Sequence, residues 1–223
     1  MIALIERDVR IALEVEASLE EANALVNDKL QGTNFYGADC FNSISRSQAL
    51  FLSLTLAKLF ELPKPQKKES SAHRYKRSDV ASIPLLIYFL DQTSFQDSLT
   101  DRAYDWTSGL LGIEHARACH NAIIRAVTTY RSFETSNLGS VATLKLSKFR
   151  NKILAHTLLG DSQSALPTYG ELFLLVDIAR DVTNDVIFAI NGHNVELQDY
   201  ENERKRVSKA FWEAALMAAA SSK

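Results

Sequence analysis

Arg150, Asn151 and His156 carry the clearest chemical potential in this sequence. They stand in the segment FRNKILAH, which begins at Phe149 and ends at His156 in a mostly apolar stretch. Imidazole titrates near neutral pH, and the planar guanidinium matches the oxygens of a phosphate. A polar group buried in an apolar helix costs a few kcal/mol unless it finds a partner. The partners of these side chains therefore decide what the protein does.

The spacing of these residues on a helix separates them. Arg150 and His156 are six positions apart, which is about 9 Å of rise and about 120° of rotation. Asn151 lies about 140° from His156 by the same geometry. One chain cannot easily hold a small group between the two ends of the segment. A twofold partner would bring a second copy alongside in reverse order and form a composite site of two histidines and two arginines.

A structural role for the same residues is open at this point. Arg150 can pair with a carboxylate from another helix. His156 can bond a carbonyl at the C-terminal end of its own helix, where a cation is favoured.

Composition predicts one large helical domain over residues 1–223. Eight glycines and four prolines among 223 residues favour long uninterrupted helices. The net charge of −2 gives no global attraction to nucleic acid. Cys40 and Cys119 lack CxxC spacing, which predicts a reducing cytoplasm. Charges follow too soon after Met1 for a signal peptide, and the longest apolar run, 83–90, is too short to span a membrane.

Periodicity predicts an all-α, up-and-down helical bundle with extra helices. The first helix carries an apolar stripe with one gap: Ile5, Val9, Ala12, Leu19, Ala22, Val26 and Leu30. Further helices are expected over about 38–62, 79–90, from 94, 113–131, 140–160, 168–190 and 195–219. A second stripe consists of Ile113, Ala116, His120, Ile123, Val127 and Tyr130. Ser140 and Thr168 are the expected N-caps of the helices that they precede, Thr168 in a capping box with Glu171. Pro63 and Pro65 should end the second helix, and Gly192 should end the helix that Thr168 begins. Residues 49–60 should be buried, and Leu144 should pack on a neighbouring helix.

The segment 64–78 is rich in basic residues and is expected to be a loop. Its candidates for contacting phosphates are Lys67, Lys68, Arg74, Lys76 and Arg77. Such a charge run is either a solvated loop or an arm that grips phosphates.

The remaining histidines and cysteines give weaker signals. His115 and Cys119 are i, i+4 neighbours, but no third ligand is evident, so no metal and no cofactor are predicted. His120 is expected to be a hydrogen-bonded core histidine or a residue that supports the Arg150–His156 segment. His73 and His193 are expected to be solvated.

An Arg, a polar residue and a His near the end of a bundle helix resemble the R-x(4–6)-H motif of the HEPN superfamily. The segment FRNKILAH and the upstream 54–61, LTLAKLFE with its proline turn, are similar to the abortive-infection AbiU-like branch. The resemblance implies a cytoplasmic, homodimeric, metal-independent endoribonuclease acting as an antiphage toxin. It also implies an RNA substrate and, since nucleotidyltransferase motifs are absent, an antitoxin on a separate chain.

The resemblance assigns a role to each residue of the motif. His156 would be the general base for the ribose 2′-hydroxyl or the acid for the leaving 5′-oxygen. Arg150 would stabilise the phosphate charge, and Asn151 would orient the histidine or a phosphate, leaving 2′,3′-cyclic phosphate ends. Many toxin members have a tyrosine where Leu158 stands here. The alternative implied by the resemblance is a non-catalytic scaffold or an RNA- or nucleotide-binding dimer.

Overall fold

The computed structural model is all-α in every region that it describes, as composition and periodicity predict. It describes residues 1–30, 37–62, 80–155 and 167–221, apart from the side chains of 152–155 and 217–221. Within these ranges there is no strand, and no helix is both long and apolar enough to cross a membrane. The α-helices there are α1 (Ile2–Leu25), α2 (Ala38–Leu59), α3 (Ile83–Leu90), α4 (Thr93–Tyr104), α5 (Gly112–Thr135), α6 (Asn137–Ala155), α7 (Tyr169–Asn191) and α8 (Leu197–Ser221).

The helices form a bundle around a main apolar core, and a smaller apolar cluster lies where the end of α1 meets α8. Helix α5 packs along α7, α1 packs along α8, and α2 contacts α1, α6 and α7. The core draws its largest fully buried side chains from several helices: Ile5, Leu13, Leu19, Leu52, Leu56, Leu59, Ile83, Ile87, Ile123, Leu146, Leu172 and Leu175. Helix α6, which carries the motif, is thereby held against α2, α5 and α7.

The apolar stripe of the first helix is confirmed, and its gap is filled by Glu16. Ile5, Val9, Ala12, Leu19 and Ala22 are all fully buried. Glu16 occupies the missing position of the stripe and is buried with them. The helix does not continue regularly to Leu30, because Val26–Leu30 forms one wider π-helical turn after α1.

The predicted stripe of α5 is wrong by about one position at its N-terminal end. Ile113 and His120 are exposed, so His120 is not a core histidine. The buried face consists of Cys119, Ala122, Ile123, Ala126, Tyr130 and Phe133. Small residues on this face let α7 approach closely, and hydrophobic spacing alone favoured the larger Ile113 over Cys119.

Two other burial predictions fail in part. Phe51 is half exposed and Leu50 is also exposed, and only half of the residues in the 49–60 segment are buried. On α6, Leu144 was expected to pack on a neighbour, but 54% of it is exposed. Both helices therefore present apolar side chains to solvent.

The helix boundaries follow local capping chemistry. Thr168 and Glu171 form the predicted capping box of α7, and Gly192 ends that helix with φ of 73°. Ser140 is not an N-cap, because α6 begins earlier and Ser140 lies within its first turns. Ser136 is the cap instead: its hydroxyl accepts from the amide of Gly139 at 2.9 Å. Pro63 and Pro65, predicted to end α2, lie outside the described residues.

Gly139→Ala is expected to destabilise the protein by about 2 kcal/mol, because a methyl group at this position overpacks the junction of α5 and α6. A Cβ on Gly139 would lie 2.0 Å from the carbonyl oxygen of Phe133, which is backbone and cannot rotate away. Urea unfolding measures the change. Gly170→Ala is the matched control, since a Cβ there meets nothing within 4 Å and the site is helical. Equal stability of the two variants would contradict the predicted clash.

Candidate functional site

Arg150 is compensated within the chain by a carboxylate. Its Nη1 lies 2.6 Å from Oε1 of Glu61, which stands just beyond the C-terminal end of α2. The side chains are 19% and 26% exposed, respectively. An arginine in this apolar helix therefore costs little, because its charge has a partner and an edge in solvent. One of the two alternatives left open by the sequence, a structural ion pair, is thus present.

The Arg150–Glu61 pair lines a small cavity between α2 and α6. The cavity holds about 70 Å³ and is also lined by Phe60, Leu146 and Ser147. This volume is enough for a few water molecules but far too small for a nucleotide. A phosphate can therefore meet Arg150 only from the solvent side, where it would compete with Glu61 for the guanidinium.

Asn151 lies on a different side of α6 and is exposed. It belongs to a strip along the helix that begins with three exposed apolar residues: Leu138, Val141 and Leu144. Lys148 continues the strip and is also exposed. The spacing of three and four residues places these side chains on one side of the helix. We call the whole row from Leu138 to Asn151 the α6 strip. No described residue covers its apolar end, Leu138 to Leu144.

The third residue of the motif, His156, lies outside the described residues, which end α6 at Ala155. The same is true of the basic segment candidates: Lys67, Lys68, Arg74, Lys76 and Arg77. The structure consequently places Arg150 and Asn151 on one helix end, pointing about 100° apart.

A second ion pair fixes the motif helix against the start of α7. Nζ of Lys145 lies 2.6 Å from Oε1 of Glu171, the same residue that closes the capping box with Thr168. Partial burial raises the pKa of Glu171, but the bonds from Lys145 and Thr168 outweigh it and hold the pKa below its usual value. Glu171 is therefore charged at neutral pH and joins α6 to α7 close to the motif.

His115 and Cys119, the i, i+4 pair, each have a polar partner within the described chain. Cys119 is buried and its thiol donates to the carbonyl of Ala189 at 3.3 Å. His115 has its Nδ1 3.4 Å from the hydroxyl of Thr107, and His193 is exposed as predicted. In the described ranges, no group of three or more His, Cys, Asp or Glu side chains is arranged to hold a metal ion.

A buried charge cluster between α1, α7 and α8 was not predicted from the sequence. Glu16 is 4% exposed, and its Oε2 has no hydrogen-bond partner in the described structure. Arg180 and Lys205 hold Glu201 at 2.5 Å and 2.9 Å. The pKa of Glu16 is raised to about 8, chiefly by burial and also by the Glu201 and Asp177 carboxylates, while Lys205 opposes the shift. The signal that could have found it was a glutamate at the empty position of an apolar stripe.

Comparisons with family models, with curated proteins and with solved structures found no match to this chain. The likeness to the HEPN superfamily therefore rests on the residues of the motif and their setting in a helical bundle.

Proposed function

We propose that this chain is a HEPN-type, metal-independent endoribonuclease that acts as a homodimer and serves as an antiphage toxin. The observation that carries the proposal is the α6 strip. It combines an uncovered apolar surface, Leu138 to Leu144, with the exposed Asn151 on the helix that bears the motif. An interface on this strip would hide the apolar residues and bring two motifs towards each other.

The geometry of α6 limits where the twofold axis can pass. An axis at Leu144 would place the two copies of Asn151 about 21 Å apart along antiparallel helices, too far for one site. An axis near Lys148 reduces that separation to about 9 Å and sets Val141 opposite residue 155 of the second copy. Two lysines would then stand beside the shared cleft and add positive charge where a phosphate binds.

Each motif residue has a chemical task in this proposal. His156 of either copy takes the proton of the ribose 2′-hydroxyl or gives a proton to the leaving 5′-oxygen. Arg150 binds the phosphate oxygens as negative charge develops, and it must exchange Glu61 for the substrate to do so. The product is an RNA end with a 2′,3′-cyclic phosphate. The basic segment 64–78 supplies further phosphate contacts.

A non-catalytic HEPN dimer, acting as a scaffold or binding RNA, is the second candidate. The Arg150–Glu61 pair favours it, since a guanidinium already held by a carboxylate at 2.6 Å is satisfied without substrate. Both candidates predict the same dimer. They differ in whether the protein cuts RNA.

RNA cleavage in the presence of EDTA tests the enzymatic proposal. Wild-type protein is expected to cut RNA and leave 2′,3′-cyclic ends, which resist a phosphatase until acid opens them. His156→Ala is expected to slow cleavage by about 10²–10⁴-fold, the usual share of a general acid or base. His193→Ala, an exposed histidine far along the chain, is the matched control and should cut at the wild-type rate.

Each outcome of this assay distinguishes the candidates. Cleavage that survives in the His156→Ala protein would contradict the assigned site. A lack of cleavage by wild-type protein over messenger, ribosomal and transfer RNA would favour the non-catalytic dimer. Cleavage that requires Mg²⁺ would rule out the metal-independent mechanism.

Cysteine cross-linking tests the position of the dimer axis. In a Cys40→Ser background, which removes the exposed native thiol, Lys148→Cys is expected to form a disulfide-linked dimer under mild oxidation. Leu138→Cys is the control on the same strip and should not cross-link, because its two copies would lie about 30 Å apart along the helices. Non-reducing electrophoresis measures both. The reverse pattern would place the axis at the other end of α6.

A further inference from the structure

A second cavity lies on the other side of the motif helix from the Arg150–Glu61 pair. It is an open cleft of about 590 Å³ between the middle of α2, the C-terminal part of α6 and the start of α7. Arg46, Leu50, Phe149, Tyr169 and Leu172 form most of its walls. Its volume lies within the roughly 300–1,000 Å³ of typical small-molecule sites.

The walls of this cleft are suited to an apolar molecule. Hydrocarbon lines the cleft from three different helices: Leu50 is 39% exposed, while Phe149 and Leu172 are 6% and 2% exposed. Two of the hydroxyl groups in the lining are already engaged: Ser53 donates to the carbonyl of Ala49, and Thr168 belongs to the capping box. A ligand with many hydrogen-bonding groups, such as a nucleobase, would lose bonds to water here without replacing them.

The rim of the cleft carries one positive charge. Arg46 is exposed, and no carboxylate in the described parts of the chain forms an ion pair with it. Two other cations near the motif are engaged, since Lys145 pairs with Glu171 and Arg150 pairs with Glu61. A guanidinium at the edge of an apolar cleft complements a molecule with an apolar body and one anionic end.

We propose that this cleft binds an elongated apolar carboxylate, of the size of a medium-chain fatty acid. The chain would lie between Leu50, Phe149 and Leu172, and the carboxylate would reach Arg46. The site is separate from the proposed nuclease chemistry and does not depend on it. Because Phe149 precedes Arg150 in α6, a bound ligand would nevertheless contact the motif helix itself.

Binding of decanoate, compared with decanol, tests this site by titration calorimetry. Wild-type protein is expected to bind both saturably, and decanoate more tightly. Arg46→Gln should weaken decanoate binding by about tenfold and leave decanol unchanged, because only the carboxylate uses the guanidinium. Arg117→Gln, at an exposed arginine outside the cleft, is the charge control.

Two variants that fill the cleft test its location. Ala49→Phe and Leu50→Trp add volume inside the walls and should abolish binding of both probes. Ser47→Phe places the same bulk on an exposed side of α2 and should bind like wild type. Circular dichroism confirms that each variant is folded. Wild-type protein that binds neither probe, or binding that persists in both folded cleft variants, would overturn the proposal.

Discussion

Replacing Glu16 with glutamine is expected to raise the free energy of unfolding near pH 9 by up to about 4 kcal/mol and to change it little near pH 4. Burial raises the pKa of Glu16 in the folded protein to about 8, against 4.5 for the unfolded chain, with Glu201 and Asp177 adding to the shift. The folded state therefore keeps a proton on this carboxyl that the unfolded state releases. Glutamine imitates the protonated form at every pH.

The direction of the pH effect follows from the two pKa values. Below pH 4.5 the Glu16 carboxyl is protonated in both the folded and the unfolded state. The stability that comes from burying the neutral carboxyl is therefore fully present. Between 4.5 and about 8, the unfolded chain loses the proton and the folded protein does not, so stability falls as pH rises. Above pH 8 both forms are ionised and the loss is complete.

Urea unfolding of both proteins across this range measures the difference. The comparison isolates Glu16, since Glu201 and Glu171 have lowered pKa values and act in the opposite direction in both proteins. Glu21→Gln, on the same helix and half-buried, is the control and should follow wild type. A Glu16→Gln protein that is less stable than wild type by the same amount at every pH would show that Glu16 is ionised and paired.

The sequence predicts helices well where capping and periodicity agree. Thr168, Glu171 and Gly192 set the ends of α7 as expected, because their interactions lie within four residues in the chain. Ser140 failed as a cap because Ser136 reaches the same turn first, and the sequence offers two serines with no local way to choose. Capping interactions can be predicted from the sequence, but the choice between two equivalent capping residues cannot.

The site is less predictable, since its partners come from distant parts of the chain. The sequence allows Arg150 a carboxylate partner from another helix as one alternative, but only the packing of α2 on α6 selects Glu61. Glu16 shows the same limit, because its neighbours Glu201 and Asp177 come from α8 and α7. Hydrophobic periodicity identifies the buried face of a helix, while the partner of a buried charge depends on tertiary contacts.

Arg180→Met is expected to lower the free energy of unfolding at neutral pH by about 3–5 kcal/mol, because it leaves a buried carboxylate short of its main counter-charge. Arg180 is 13% exposed and binds Glu201, whose side chain is 5% exposed, at 2.5 Å. It also lies 2.9 Å from Asp177 and 3.0 Å from Asp181. Methionine has a similar length and restores none of these interactions.

The loss of stability in Arg180→Met should come from charge rather than from packing, and a second substitution distinguishes the two causes. Glu201→Gln in the Arg180→Met protein is expected to recover a large part of the stability, since a buried amide needs no counter-ion while Asp177 and Asp181 are half exposed. Arg206→Met is the control, because its pair with Glu203 lies at the surface and should be worth little. If the second substitution adds further destabilisation instead, the role of Arg180 is to fill space between α7 and α8. Recovery would show that this end of the bundle is held by balanced charge around Glu16 and Glu201.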